Sequence, residues 1–234
     1  MAIILRIDVD NPYGCEYLPR TTLNYLRLNY PKFFPAFKSL NYLWHTKNIL
    51  DHLCTSKTKA HFCFMPSSVP QPNFVKQMKD HNQKPALHAV DTINFQKFQE
   101  ELEEINSKTQ EAGPIKFFTK HGDGKIKLAR MHHTPYETEV LLKYAQKADL
   151  KCFSGNGTDP KEQEQEIEGI RFFPSAFWID HSLRKHKEDV EWLVKESKKR
   201  DLVVLIHPFW FVHEESTRKD LEYVIKNSDF EVIE

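Results

Sequence analysis

Glycine is scarce in this chain, 7 among 234 residues, and none falls in a G-x-G-x-x-G or P-loop pattern. Without a glycine-rich turn to cradle a pyrophosphate, Rossmann-type and P-loop nucleotide binding have no support. Long apolar runs are also missing. The longest, residues 203–212, is interrupted by His207 and Pro208 and is far shorter than the roughly 20 residues that cross a bilayer. There is no excess charge of either sign, since Lys+Arg and Asp+Glu each total 33. No summed field therefore draws the chain to nucleic acid or to an anionic membrane. Cysteine is sparse as well: Cys15, Cys54, Cys63 and Cys152 are far apart and form no C-x-x-C pair, which argues against a disulfide framework. The apolar stretch after Met1 meets Arg6 and Asp8 too soon to be a secretory leader, so a cytoplasmic chain beginning near Met1 is expected.

What is present is an alternation of strand and helix patterns. A chain of this length can bury one sizeable core, and one domain over residues 1–234 is the expectation. Residues 3–10 (IILRIDVD) read as the first strand. Because strand side chains alternate, Ile3, Leu5, Ile7 and Val9 face one way, and Ile4, Arg6, Asp8 and Asp10 the other. Further strands are predicted over 60–65, 85–90, 115–120, 151–154, 170–177 and 202–206. Helices are predicted over 36–53, 73–81, 95–109, 136–148 and 186–200. The 16–35 stretch is long for a connection and reads as a lid-like loop, and 155–168 reads as a polar loop. About seven such units argue for parallel βαβ crossovers in an α/β fold.

The polar residues gather where predicted strands end: Asp8 and Asp10, His88 and Asp91, His121 and Asp123, and His207. That is the face on which a β/α barrel carries its active site. Two acids on one strand face repel each other, and a metal ion, a shared proton or a nearby cation such as Arg6 must offset that repulsion. Asp10 and His88 are donors suited to a divalent ion such as zinc. Asp91 follows His88 by about one helical turn, so both can face a common point.

These residues resemble the polysaccharide deacetylases of carbohydrate esterase family four. The resemblance rests on IDVDN with Asp8 and Asp10, LHAVDT with His88, the Arg130 segment, and LVVLIHPFW with His207, in the family's order and over nearly the whole chain. It implies a single irregular (β/α)7-type barrel. It also implies Asp8 as general base, Asp10 and His88 as metal ligands and His207 as general acid, and a link to surface-polysaccharide synthesis. The family's H-x-x-x-H motif is broken here, because Thr92 stands four residues after His88; the third ligand is then Asp91, His121, a water or absent, and Asp91 is favoured over His121 because a one-turn offset needs no long-range register. The usual R-P-x-Y segment is only approximated by Arg130, Met131, His132 and His133.

A zinc ion in such a site would polarise an acetamido or ester carbonyl and lower the pKa of water from about 15.7 towards 7. Asp8 would then take the proton of the attacking water, and His207 would protonate the departing amine. Arg130 is expected to keep Asp8 ionised, and Arg130, His132 and Trp210 to contact the carbohydrate substrate, Trp210 by stacking on a sugar face. The expected activity is removal of an acetyl or similar acyl group from an amino sugar or polysaccharide precursor. Two rivals are a non-catalytic carbohydrate-binding protein on a decayed barrel and a metal-dependent hydrolase of another bond, such as a phosphoester.

Overall fold

A computed structural model describes residues 1–10, 43–122 and 134–234 of the chain. The 16–35 stretch, the first part of the predicted 36–53 helix, Asp123, Arg130 and His132 lie outside the described residues. The first strand, β1 (Ile3–Val9), is buried along its whole length. Beside it, in order, run β2 (His61–Phe64), β3 (Lys84–Ala89), β4 (Phe117–Lys120) and β5 (Cys152–Gly157), all parallel. A short antiparallel strand, β6 (Gln165–Ile167), forms the far edge through β7 (Ile170–Ser175), which pairs with β5. On the other side of β1 lie β9 (Leu202–Ile206) and then β8 (Phe177–Trp178). β10 (Phe230–Glu231) pairs with Ile3 and Ile4, below the point at which β2 joins at Arg6.

The sheet curls into an incomplete barrel, as the α/β expectation required. No ladder joins β7 to β9 among the described residues. At that seam the Ala176 N–H and the Trp178 indole N–H both donate to the Gly157 carbonyl, at 3.2 and 3.3 Å. The run predicted as one strand over 170–177 is therefore two strands that belong to opposite sides of the seam.

Helices cover the outer face: α1 (Trp44–Ser56), α2 (Pro72–Asp80), α3 (Phe95–Thr109), α4 (Thr138–Lys147), α5 (Val190–Ser197), α6 (Pro208–His213) and α7 (Glu215–Asn227). Local chemistry explains their limits. In α3, Phe98, Leu102, Ile105 and Thr109 form one buried stripe, and the Asn94 side chain caps the start by accepting from Lys97 N at 2.9 Å. α5 begins later than the predicted residue 186, because Asp189 caps it and the His186 ring is instead held by the Trp178 N–H at 3.1 Å. Helices α6 and α7, and strand β6 inside the segment read as a loop, have no counterpart in the sequence reading. None of the described helices is long and apolar enough to cross a membrane.

The period-two rule sorts the two faces of the sheet. Ile3, Leu5, Ile7 and Val9 lie in the larger core beneath the helices. Ile4 joins Cys63, Ala86, Phe117, Val203 and Leu205 in a smaller core that fills the lower part of the barrel. His61 belongs to this floor: its ring stacks on Phe117 at 4.6 Å, and its Nε2 accepts from Ile233 N at 2.9 Å. Burial, reinforced by Lys84, pushes its pKa down to about 3, so it is a neutral structural residue. Above Ile4 on the same face come Arg6, Asp8 and Asp10.

Candidate active site

Arg6 and Asp8 are both buried and form a bidentate pair: Nε to Oδ1 at 2.8 Å and Nη2 to Oδ2 at 2.6 Å. They stand two residues apart on one strand face, so strand geometry alone brings them together. The rest of the guanidinium is satisfied by β5. Nη1 donates to the Gly155 carbonyl at 2.9 Å and to Ser154 Oγ at 3.1 Å, and Nη2 to Asn156 Oδ1 at 2.7 Å. Burial works against ionisation of Asp8, but the Arg6 charge, the Arg6 hydrogen bonds and His88 together outweigh it and keep the carboxyl below its ordinary value. Arg6 thus gives Asp8 a cation from its own strand, while Arg130, expected to do so, lies outside the described residues. Removing one member of such a pair strands a buried charge, which costs about 3–5 kcal/mol.

Asp10, just past the end of β1, sits between two walls. On one side its Oδ1 faces His88 Nε2 at 2.9 Å and His121 Nδ1 at 3.6 Å, while the two ring nitrogens lie 2.9 Å from each other. Among the described residues, Asp10 Oδ1 is buried with these two rings beside it but without a hydrogen bond of regular geometry. Burial pulls His88 below its ordinary pKa despite the neighbouring carboxylates, leaving a neutral ring with a lone pair to give. Two imidazole nitrogens and a carboxylate oxygen converging on one point are a fitting donor set for zinc or another divalent transition ion. A second grouping, Asp8 with Asp10 and His207, is also close enough. It fits less well, since Asp8 is engaged by Arg6 and His207 carries its own proton.

The other wall is His207, whose Nε2 lies 3.4 Å from Asp10 Oδ2. It follows β9 directly, and β9 pairs with β1, so the last long strand delivers it beside the first. Its Nδ1 is 2.6 Å from Oδ2 of Asp180, a carboxylate with no solvent exposure. The His207 backbone N–H also approaches both Asp180 oxygens at 3.2 Å. Burial raises the Asp180 pKa and these contacts pull against it, while His207 is held well above its own ordinary value, so the shared proton belongs to the imidazole. Burial would lower the His207 pKa, but Asp180 and Asp10 outweigh it and hold it well above the ordinary value. The Trp178 ring lies 5.8 Å from that of His207.

Of the residues singled out from sequence, Asp8, Asp10, His88, His121 and His207 converge here. Asp91 does not join either donor group. Its Oδ1 accepts from Ile93 N at 3.2 Å in a tight local turn, and its own N–H donates to Glu101 at 2.9 Å. The segment after His88 is not helical, which removes the one-turn geometry assumed for Asp91. Glu101 also accepts from Val90 N at 2.8 Å, and Lys120 donates to the Val90 carbonyl at 2.6 Å, so that loop is fastened from both sides. Burial lifts Glu101 to about 7 and lowers Lys120 to about 8. Thr92 donates its hydroxyl to the Pro135 carbonyl at 2.9 Å. Trp210 lies in α6 with its ring edge-on to Phe209, and the aromatic ring beside His207 is that of Trp178. Asp180, Ser154 and Asn156 escaped the sequence reading. The signal available for Asp180 was alternation: Phe177 and Ile179 enter the outer core, so Trp178 and Asp180 face inward.

No family model and no curated protein matches the sequence. Among solved structures the chain is similar to a CE4 esterase from Streptococcus mutans, with a TM-score of 0.50 and 11% identity over 100% of this chain and 86% of that one. It is also similar to the peptidoglycan deacetylase PdaC from Bacillus subtilis, with a TM-score of 0.47 and 11% identity over 99% of this chain and 86% of that one. A third is the Xyl-CE4 domain of a multidomain xylanase from the hindgut metagenome of Trinervitermes trinervoides, with a TM-score of 0.46 and 16% identity over 99% and 86% of the two chains. The likeness is one of fold, and the Streptococcus mutans esterase carries it: this curled α/β sheet has the architecture of a CE4 esterase.

Proposed function

We propose that the chain is a metal-dependent hydrolase that removes an acetyl or similar acyl group from an amino sugar or polysaccharide precursor. The observation that carries this reading is the division of labour around Asp10. One of its oxygens faces His121 and a His88 ring that burial keeps neutral, and the other faces a proton-bearing His207. A divalent ion held by Asp10, His88 and His121 would supply Lewis acidity to the substrate carbonyl and to water. Asp8, fixed by Arg6, accepts the proton of the attacking water as its oxygen bonds to the carbonyl carbon. As the carbon–nitrogen bond breaks, His207 gives its Nε2 proton to the leaving amine and Asp180 stabilises the ring throughout. The products are acetate and a free amino sugar.

The place of the resemblance's second histidine, vacated at Thr92, is taken in this reading by His121 from the next strand, which weakens the case for a decayed, purely binding barrel. The similarity to a CE4 esterase supports a carbohydrate as substrate. A setting in surface-polysaccharide synthesis comes from the motif resemblance. The test is metal content of protein purified without chelator or affinity-tag metal, together with acetate release from N-acetylglucosamine oligomers, for the parent and Asp10→Ala. Stoichiometric metal and acetate release in the parent, both lost in Asp10→Ala, are expected; a metal-free parent, or a variant that still releases acetate at the parental rate, overturns the reading.

A further inference from the structure

Asn156 makes an unusual set of contacts for a residue in a short strand. Its Oδ1 accepts from Arg6 Nη2 at 2.7 Å, and its Nδ2 donates to the carbonyls of Lys120 and Gly122, both at 2.6 Å. Those two carbonyls flank His121. The amide orientation is fixed by its partners, since a guanidinium can only donate and carbonyls can only accept. One side chain therefore joins the Arg6–Asp8 pair to the backbone on either side of His121.

The local backbone is shaped to put it there. The β5–β7 register shifts between Ser154 and Gly157, and a bulge of this kind re-aims a side chain. Glycine flanks Asn156 on both sides. A Cβ on Gly155 would come within 2.5 Å of the Pro174 carbonyl oxygen, and one on Gly157 within 2.0 Å of Ser175 Oγ, so the close approach to β7 admits no side chain at either place.

We propose that Asn156 is a positioning residue that sets His121 relative to the Arg6–Asp8 pair, so that ligand and base are held at one spacing. This rests on the reading of His121 as a ligand given above. Asn156→Ala removes both arms of the bridge. Asn156→Asp keeps an acceptor for Arg6 but turns a carboxylate towards two carbonyl oxygens, and so breaks only the His121 arm.

Two measurements test it. In metal-free protein, hydrogen exchange of the His121 amide, which donates to the Ala89 carbonyl at 2.8 Å, is expected to rise at least tenfold in both variants, while amides in β1 and β9 keep parental rates. In cobalt-loaded protein, affinity is expected to fall about 10- to 100-fold, as for other partners that orient a ligand, and the visible absorption of the ion to shift. Parental exchange at His121 in both variants overturns the proposal, as does a parental cobalt spectrum with only a lowered Tm, which is the mark of a merely structural residue. Should the parent take up no cobalt while His121 exchange still rises in the variants, the metal reading fails and the bridge stands.

Discussion

The two walls around Asp10 are built from the same residue type and reach opposite electrostatic ends. On the His88 wall, burial dominates and the ring loses its proton; on the His207 wall, a carboxylate with no solvent exposure keeps the proton in place. The difference lies in how the nearby carboxylate is used. Asp8 stands 3.9 Å from His88 Nδ1 but is paired with Arg6, whereas among the described residues the cation paired with Asp180 is His207. In the function proposed above, environments that push like groups apart give one pocket both a ligand and an acid.

The largest test of this contrast is Asp10→Ala, which removes the group common to both walls; bound metal is expected to fall from stoichiometric to background by elemental analysis. His207→Ala should leave the metal wall intact, so metal content stays parental while turnover drops about 10²- to 10⁴-fold. If metal is lost along with turnover, the walls are not separable. Asp8→Asn should reduce turnover and also lower stability by about 3–5 kcal/mol in urea unfolding, because it leaves the buried Arg6 charge without its partner. Asp180→Asn keeps the imidazole and withdraws its counter-charge. We expect a turnover loss of roughly tenfold or more, and the alkaline limb of the pH profile displaced to lower pH, since His207 would surrender its proton sooner.

The last test lies outside the site and concerns His61, buried like His88 but with Lys84 rather than a carboxylate acting on it. Its pKa is about 3 in the fold against about 6.5 in an unfolded chain. The unfolded state therefore binds the extra proton, and stability should be complete above about pH 6.5 and decline as pH falls towards 3, by up to about 1.4 kcal/mol per unit. Urea midpoints at pH 7 and pH 5 for the parent and His61→Gln check this: the variant should show the flatter dependence, although it is less stable overall.

Much of this arrangement was legible in the chain. Alternation in β1 placed Asp8 and Asp10 together, the strand ends placed His88, His121 and His207 on one face, and α3 and β9 ran where the pattern put them. Local signals of that kind depend on a few neighbouring residues. What escaped depends on contacts between distant ones. Asp91 was favoured over His121 on spacing along the chain, yet the β3–β4 register brings His121 across to His88, and no short-range pattern encodes that. Arg6 was visible as a possible counter-ion, but the guanidinium's further partners come from β5. Asp180 lies two residues past the end of β8, a strand of two residues that is too short to show a period of its own.

The pairing of β1 with β9 also governs the order in which the site can be assembled during synthesis. Asp10, His88 and His121 have all left the ribosome while the acid wall is still unmade, because Asp180 and His207 come much later in the chain. Until Leu202–Ile206 docks, one edge of β1 has neither hydrogen-bond partners nor cover for its apolar side chains, and such an edge invites pairing with other chains. A nascent polypeptide halted before the ninth strand would thus hold Asp10, His88 and His121 and still carry an edge prone to pairing with other chains.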